Sequence, residues 1–197
     1  MIKTPKRPLE ISCKAARCDP SVPAAERRHS FVSSPDALPG MTPSCRSCER
    51  TDLVDWERVQ RRDPADLDAI VSELRKELIR DNYWAEPLPA RIVRNAARRS
   101  REDLHASARR LLTSALTVAH PYAGRQTPFA YNPHATIVHC AQHATATCCR
   151  ACLETWFAIP RAIPLGPDDF AFLCALADRY TVDRLARPDD VLPAEAA

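Results

Sequence analysis

Apolar side chains recur at helical spacing along most of this chain. Leu67, Ile70, Val71, Leu74 and Leu78 fall on one face. Asp63-Pro64 stands just ahead of them, an N-cap acceptor followed by proline at the first helical position, and predicts a helix start. Pro87 and Pro89 end that region. The pattern predicts further helices over 90–99 and over 101–118, the second with a stripe of Leu104, Ala108, Leu111, Leu112 and Ala115. Residues 119–134, with Pro121, Gly124, Pro128 and Pro133, read as a loop. Thr136, Ile137 and Val138 predict a short strand over 135–140. A helix over 148–158 buries Leu153, Trp156 and Phe157 and stops at Ile159-Pro160. The last helix starts at Pro167-Asp168-Asp169, where proline suits the first turn and acids suit its dipole, and turns Phe170, Leu173, Leu176 and Tyr180 inward. No internal repeat or heptad run appears. The fold class expected is mainly α, a single helical domain over residues 43–187.

The first 42 residues break this pattern. Pro5, Pro8, Pro20, Pro23, Pro35 and Pro39 interrupt any periodicity, and large apolar residues are few, so residues 1–42 read as a disordered Pro-rich tail. Met41 follows that stretch and offers an alternative translation start; the other reading is a genuine flexible tail. Residues 188–197 read as a loose C-terminal tail. Neither a signal-peptide segment nor a membrane-spanning run is present, which points to a cytoplasmic protein with no membrane partner. The net charge of +3 resides in residues 1–40, which hold seven Lys or Arg against four acids, so the folded body balances to zero. The oligomeric state is not legible.

The chain has nine cysteines, and in a reducing compartment clustered cysteines mean metal or reactivity rather than disulfides. Two Cys-x-x-Cys pairs, Cys45-Arg46-Ser47-Cys48 and Cys149-Arg150-Ala151-Cys152, each supply two sulfurs to one side of a tetrahedron. Together they predict one structural zinc on Cys45, Cys48, Cys149 and Cys152, a staple between the start of the domain and its C-terminal part. A more local set is Cys140, His143, Cys149 and Cys152, with His139 or Cys148 able to substitute for a member. A redox dithiol at Cys149 and Cys152 is the weaker reading, because no thioredoxin-like βαβ pattern surrounds it.

Two surfaces suggest chemistry beyond a staple. Gln142 and His143, in a run of threonines before Cys148, are the candidate catalytic pair of a zinc-assisted hydrolase or transferase, which needs an open metal position. Arg91, Arg94, Arg98 and Arg101 line one side of a helix and, with Arg150, form a candidate anion or nucleic-acid surface. The glycines Gly40, Gly124 and Gly166 cannot build a phosphate loop. A zinc-deaminase signature fails because no glutamate follows His143 at the required spacing. The favoured function is a binding module for nucleic acid or a protein partner, organised by zinc; the enzyme centred on His143 is the alternative.

Three segments carry a family resemblance: Gly124-Arg125-Gln126-Thr127-Pro128, the run from Ala141 through His143-Ala144-Thr145-Ala146-Thr147-Cys148-Cys149-Arg150 to Trp156, and Ile159-Pro160. They resemble an uncharacterised bacterial and phage family, domain of unknown function 4186. The earlier Cys45–Cys48, Thr51–Trp56 and Leu74–Arg80 segments are similar to its longer members, so the likeness spans about residues 43–185. The resemblance implies one unit spanning both Cys pairs, with Gln126, Thr127, Gln142 and His143 in its signature. It carries no settled activity. Members tend to have histidine after the tryptophan, where this chain has Phe157.

Overall fold

The computed structural model describes residues 7–33, 42–116 and 127–186. Among them are eight α-helices and one two-stranded antiparallel ribbon, β1 (Phe31–Val32) against β2 (Ser44–Cys45), with Phe31 opposite Cys45. The helices are α1 (Trp56–Arg61), α2 (Leu67–Leu74), α3 (Leu78–Ala85), α4 (Ala90–Ala97), α5 (Arg101–Leu116), α6 (Ile137–Ala144), α7 (Arg150–Phe157) and α8 (Pro167–Leu185). The mainly helical class is therefore the one observed.

The core forms where α3 and α8 pack on α6 and α5 packs on α8. Ile79, Tyr83, Leu112, Val138, Ala141, Leu173, Leu176 and Tyr180 are buried there. The Tyr180 hydroxyl donates to the Tyr83 carbonyl at 2.9 Å, and Arg184 donates to the carbonyls of Trp84 and Glu86 at 2.9 and 2.8 Å, so α8 also closes the C-terminal end of α3.

Local signals fixed several starts as expected. Asp63 accepts from the Ala65 amide at 2.9 Å, capping a single 3₁₀ turn that leads into α2. Pro167 opens α8. The face from Leu67 to Leu78 is not one helix, however: it breaks at Arg75–Glu77, between α2 and α3. The expected strand over 135–140 is corrected to the start of α6. Thr136 is its N-cap in a capping box with His139, whose Nδ1 lies 3.1 Å from the Thr136 amide. The β-branched residues that suggested a strand fill the cap and first turn of a buried helix.

The loose tail expected over residues 1–42 is also corrected where the structure describes it. Leu9 and Phe31 are buried. The Tyr83 hydroxyl donates to the Leu9 carbonyl at 3.0 Å, and Asn82 donates to the Pro8 carbonyl at 2.8 Å. Phe31 meets Trp56 and Trp156 edge-on, with ring centroids 5.2 and 5.3 Å away, so the segment keys into α1 and α7. Met41, Gln126 and the tail over 188–197 lie outside the described residues.

Candidate metal centres

Backbone pairing in the N-terminal segment brings its ligand-type side chains together. Arg17 and Arg28 exchange hydrogen bonds at 2.7 and 2.8 Å, which sets the next residues, Cys18 and His29, side by side. His29 is clamped along its backbone: its amide donates to the Lys76 carbonyl at 2.8 Å, and its carbonyl accepts from the Leu78 amide at 2.9 Å. Two residues on, β1 pairs with β2 and delivers Cys45. The chain then turns through Cys48, closed by Glu49 N–H to Cys45 O at 2.9 Å and Cys45 N–H to Arg50 O at 3.0 Å.

The outcome is one cluster of Cys18, His29, Cys45 and Cys48, with their ligand atoms all within 4.8 Å of one another. The spacing fits a tetrahedral metal. Zn–S bonds of about 2.3 Å at tetrahedral angles put two sulfurs about 3.8 Å apart, and a sulfur and an imidazole nitrogen about 3.5 Å apart. Cys18 and Cys45 Sγ are 3.8 Å apart, and Cys48 Sγ lies 3.5 Å from His29 Nδ1. Burial, then hydrogen bonding to Cys45, pushes the Cys18 thiol up to about 12. Burial works against Cys45 too, but backbone hydrogen bonds at Ser30, Cys48 and Ser47 outweigh it and hold Cys45 below the ordinary thiol range. Burial, then the charges of Arg50, Arg27 and Arg28, lowers His29, which keeps its imidazole neutral as a ligand must be.

A second cluster forms at the start of α7, where Cys148, Cys149 and Cys152 also lie within 4.8 Å of one another. Cys149 is the N-cap of α7 and Cys152 lies one turn on, so the helix fixes their spacing. Cys148 and Cys152 Sγ are 3.5 Å apart. Hydrogen bonds from Cys148 and Cys152 drop the Cys149 thiol to about 3, while Cys148 is pushed up by its hydrogen bonds to Cys149 and Cys152.

Beneath this cluster lies a fully buried ion pair. Arg80 Nε donates to Glu77 Oε2 at 2.8 Å, with both side chains essentially sealed from solvent. The rest of the guanidinium fork faces elsewhere: Nη1 donates to the His143 carbonyl at 2.5 Å and Nη2 to Cys152 Sγ at 3.2 Å. Glu77 also accepts from Trp156 Nε1 at 3.1 Å and from the Phe31 amide at 3.3 Å. Burial pushes Glu77 upward, opposed first by the Arg80 charge.

The single four-cysteine staple is therefore corrected: the structure does not bring Cys45 and Cys48 to Cys149 and Cys152. Each pair has its own cluster, and the first is completed by Cys18 and His29, from the segment expected to be disordered. Of the alternates, Cys148 belongs to the second cluster. Cys140 and His143 belong to neither. Cys140 is a buried side chain of α6 whose thiol burial pushes up to about 12.

The site proposed around His143 is a core position. Its ring lies between Tyr83 and Phe129, with centroids 5.1 and 4.9 Å away, and its Nε2 donates to the Thr127 carbonyl at 3.2 Å. Burial, then the Arg80 charge, lowers its pKa to about 3, so it stays neutral. Gln142 is buried beside it and donates to the Thr147 carbonyl at 3.4 Å. Thr127, from the family-like signature, donates to the Cys148 carbonyl at 2.8 Å and so braces the approach to the second cluster.

The arginine surface shrinks. Arg150 is fully buried and donates to the carbonyls of Leu116, Pro160 and Ile163. Arg91 donates to the carbonyls of Ala135 and Asn132, both at 3.0 Å, holding the loop ahead of α6. The helix expected to carry the stripe ends at Ala97, so Arg98 caps α4 while Arg101 opens α5. Arg94, Arg98 and Arg101 remain exposed.

A family model described as Domain of unknown function (DUF4186) matches residues 68–182, more than half of the chain. The matched range holds Glu77, Arg80, Cys148, Cys149 and Cys152 but stops short of Cys18, His29, Cys45 and Cys48. No solved structure matches the chain. No helix among the described residues is long and apolar enough to cross a membrane.

Proposed function

The chain belongs to the DUF4186 family, and we propose that it is a zinc-organised helical module whose N-terminal segment, ahead of the matched range, is folded on its own hairpin by a structural zinc on Cys18, His29, Cys45 and Cys48. The observation that carries this reading is the convergence of three sulfurs and one imidazole nitrogen at the separations a tetrahedral ion needs. Soft thiolates with one imidazole suit zinc, and four protein ligands leave no open position for a reacting water. The site is thus structural rather than hydrolytic, and the core placement of His143 weighs against the enzyme reading.

The decisive experiment is metal analysis with zinc-edge X-ray absorption on protein purified without added metal. A Cys48→Ser variant should lose one zinc per chain and with it the nitrogen contribution to the metal shell. A variant that keeps its full metal content would end this reading.

Binding of nucleic acid is the second reading, and it narrows to the junction of α4 and α5. Arg94, Arg98 and Arg101 are exposed there, and their side chains make no hydrogen bond or ion pair with described residues, which leaves them able to meet phosphates. Fluorescence anisotropy with a DNA duplex and a single-stranded RNA at low salt tests it. Charge reversal of Arg94 and Arg98 should weaken binding and flatten its salt dependence; no binding by the wild-type chain would discard it.

A further inference from the structure

We propose that the chain holds a second metal ion, bound by the four sulfurs of Cys13, Cys148, Cys149 and Cys152, with Arg80 as the buried cation that offsets the charge of this tetrathiolate. This goes beyond the first site and does not depend on it.

Three of the sulfurs already stand at mutual ligand distance at the start of α7. The 3.5 Å between Cys148 and Cys152 is close to the edge of a zinc–sulfur tetrahedron, about 3.8 Å. The fourth comes from the N-terminal segment: Cys13 stands outside the mutual 4.8 Å of those three sulfurs but beside Cys152, contact with which pushes its thiol up. Its backbone is held in place, because the Ser30 hydroxyl donates to the Cys13 carbonyl at 2.6 Å. Ser30 is itself fully buried, next to the ligand His29 and next to Phe31, which keys into Trp56 and Trp156.

The electrostatics explain Arg80. Four thiolates around a divalent ion carry a net charge of minus two, which burial penalises unless a cation is close. Arg80 sits with no solvent exposure, one edge on Glu77, and directs Nη2 at Cys152 Sγ (3.2 Å) and Nη1 toward Cys148 Sγ (3.8 Å). A neutral thiol is a weak acceptor for so strong a donor; a metal-bound thiolate is a good one. The amides of the first turn of α7 add to the same stabilisation, that of Cys152 bonding Cys149. An all-sulfur, closed site of this kind takes a soft divalent ion, and zinc is the ion it suits.

The consequence is mechanical. Cys13 and Cys18 are five residues apart in one strap, so two ions would fasten that strap, one to its own hairpin and one to α7.

Metal content and zinc-edge X-ray absorption of the full chain test this. The wild type should carry two zinc ions per chain, with seven sulfurs to one nitrogen in the averaged shell. Cys13→Ser should fall to one zinc with three sulfurs to one nitrogen, whereas Cys48→Ser should fall to one zinc with sulfur alone. Cys174→Ser, at a buried cysteine outside both clusters, should keep both ions. One zinc per wild-type chain in a shell of three sulfurs and one nitrogen would overturn the second site while leaving the first intact. Cys13→Ser protein that keeps two ions would remove Cys13 from the ligand set. If Cys13→Ser does not fold, the wild-type stoichiometry and shell decide alone.

Discussion

Cys18, His29, Cys45 and Cys48 come from one short stretch of chain, while Cys148, Cys149 and Cys152 gather at the start of α7, with the N-terminal Cys13 as their proposed fourth sulfur. The first cluster is assembled by a backbone bridge, a two-residue ribbon and a tight turn, with little apolar mass of its own. The second stands on α7, over the buried Glu77–Arg80 pair, against Trp156. With both proposed ions bound, the contrast would separate two ways of using a metal. Where local structure is too slight to pay for its own ordering entropy, an ion would supply the folding free energy. Where a packed core already exists, an ion would tie a distant segment to it.

Metal removal should expose that difference most sharply. Structural zinc binding is worth on the order of 10 kcal/mol in small metal-dependent folds. Chelation at neutral pH should therefore abolish hydrogen-exchange protection at the Arg17 and Arg28 amides, which bond each other's carbonyls within the strap. Protection in α5, α6 and α8, whose contacts are with one another, should persist. Collapse of all regions together would show that the helical core leans on metal as heavily as the strap does.

Arg80 comes next in size. Removing one member of a buried ion pair leaves the other charge uncompensated and costs about 3–5 kcal/mol. Arg80→Met should lower stability by that amount in chemical denaturation. The added change Glu77→Gln should restore a sizeable part, since it removes the stranded carboxylate. Arg80→Lys should not rescue, because one ammonium cannot reach Glu77, the His143 carbonyl and Cys152 in three directions. Among the described residues no comparable buried cation serves the first cluster, where exposed substitutions such as Arg50→Ala, at the Arg50–Asp52 pair on the surface, should be close to neutral.

The sequence showed the helices better than the centres, for identifiable reasons. Asp63-Pro64 and Pro167 marked starts because their preferences are local. Thr136-Ile137-Val138 misled because a cap and a buried first turn use the same residues as a strand. The two Cys-x-x-Cys pairs were legible as members of clusters that could hold a metal, but their partners were not: pairing them with each other was the shortest hypothesis that ignored the Pro-rich segment. Cys13, Cys18 and His29 were the available signal. Two cysteines and a histidine in a stretch otherwise poor in core residues need a reason to be there, and proline breaks periodicity without forbidding irregular structure that a metal can hold. Arg150 and Arg91 misled because charge in sequence says nothing of burial; both spend their donors on loop carbonyls.

Acid should probe the packed region through His143. Its folded pKa, about 3, lies below the ordinary 6.5 because burial disfavours the imidazolium. A depressed folded pKa means that the unfolded chain takes up the proton first. The full contribution is present above about pH 6.5 and is lost as pH falls from there toward 3, by roughly 1.4 kcal/mol per unit. His143→Phe should fit between Tyr83 and Phe129 and remove this component, so its stability should fall less steeply over that window. An unchanged slope would mean that the imidazole is not sealed as the stacking indicates. Since His29 is a proposed ligand, metal content must be followed in the same samples.

The smallest effect separates the two regions by backbone conformation. Glu49, immediately after Cys48, has φ 59°, and Ala158, which caps α7, has φ 53°. Both lie in the left-handed region, where a Cβ is unfavourable by about 1–2 kcal/mol and glycine is at home, less about 0.5–1 kcal/mol for the freedom that glycine adds to the unfolded chain. Each change to glycine should therefore stabilise by somewhat less than about 1 kcal/mol. The two should respond differently to metal. Glu49 owes its conformation to a turn pinned by Cys45 and Cys48, so Glu49→Gly should tighten zinc binding at the first cluster and lose its effect once the ion is stripped. Ala158 is set by the C-terminal end of α7 packing into the body, so Ala158→Gly should raise the unfolding midpoint whether or not the first cluster is loaded. Equal gains for Glu49→Gly with and without zinc would mean that the turn forms unaided, and the strap would then owe its order to Phe31 and the ribbon rather than to the ion.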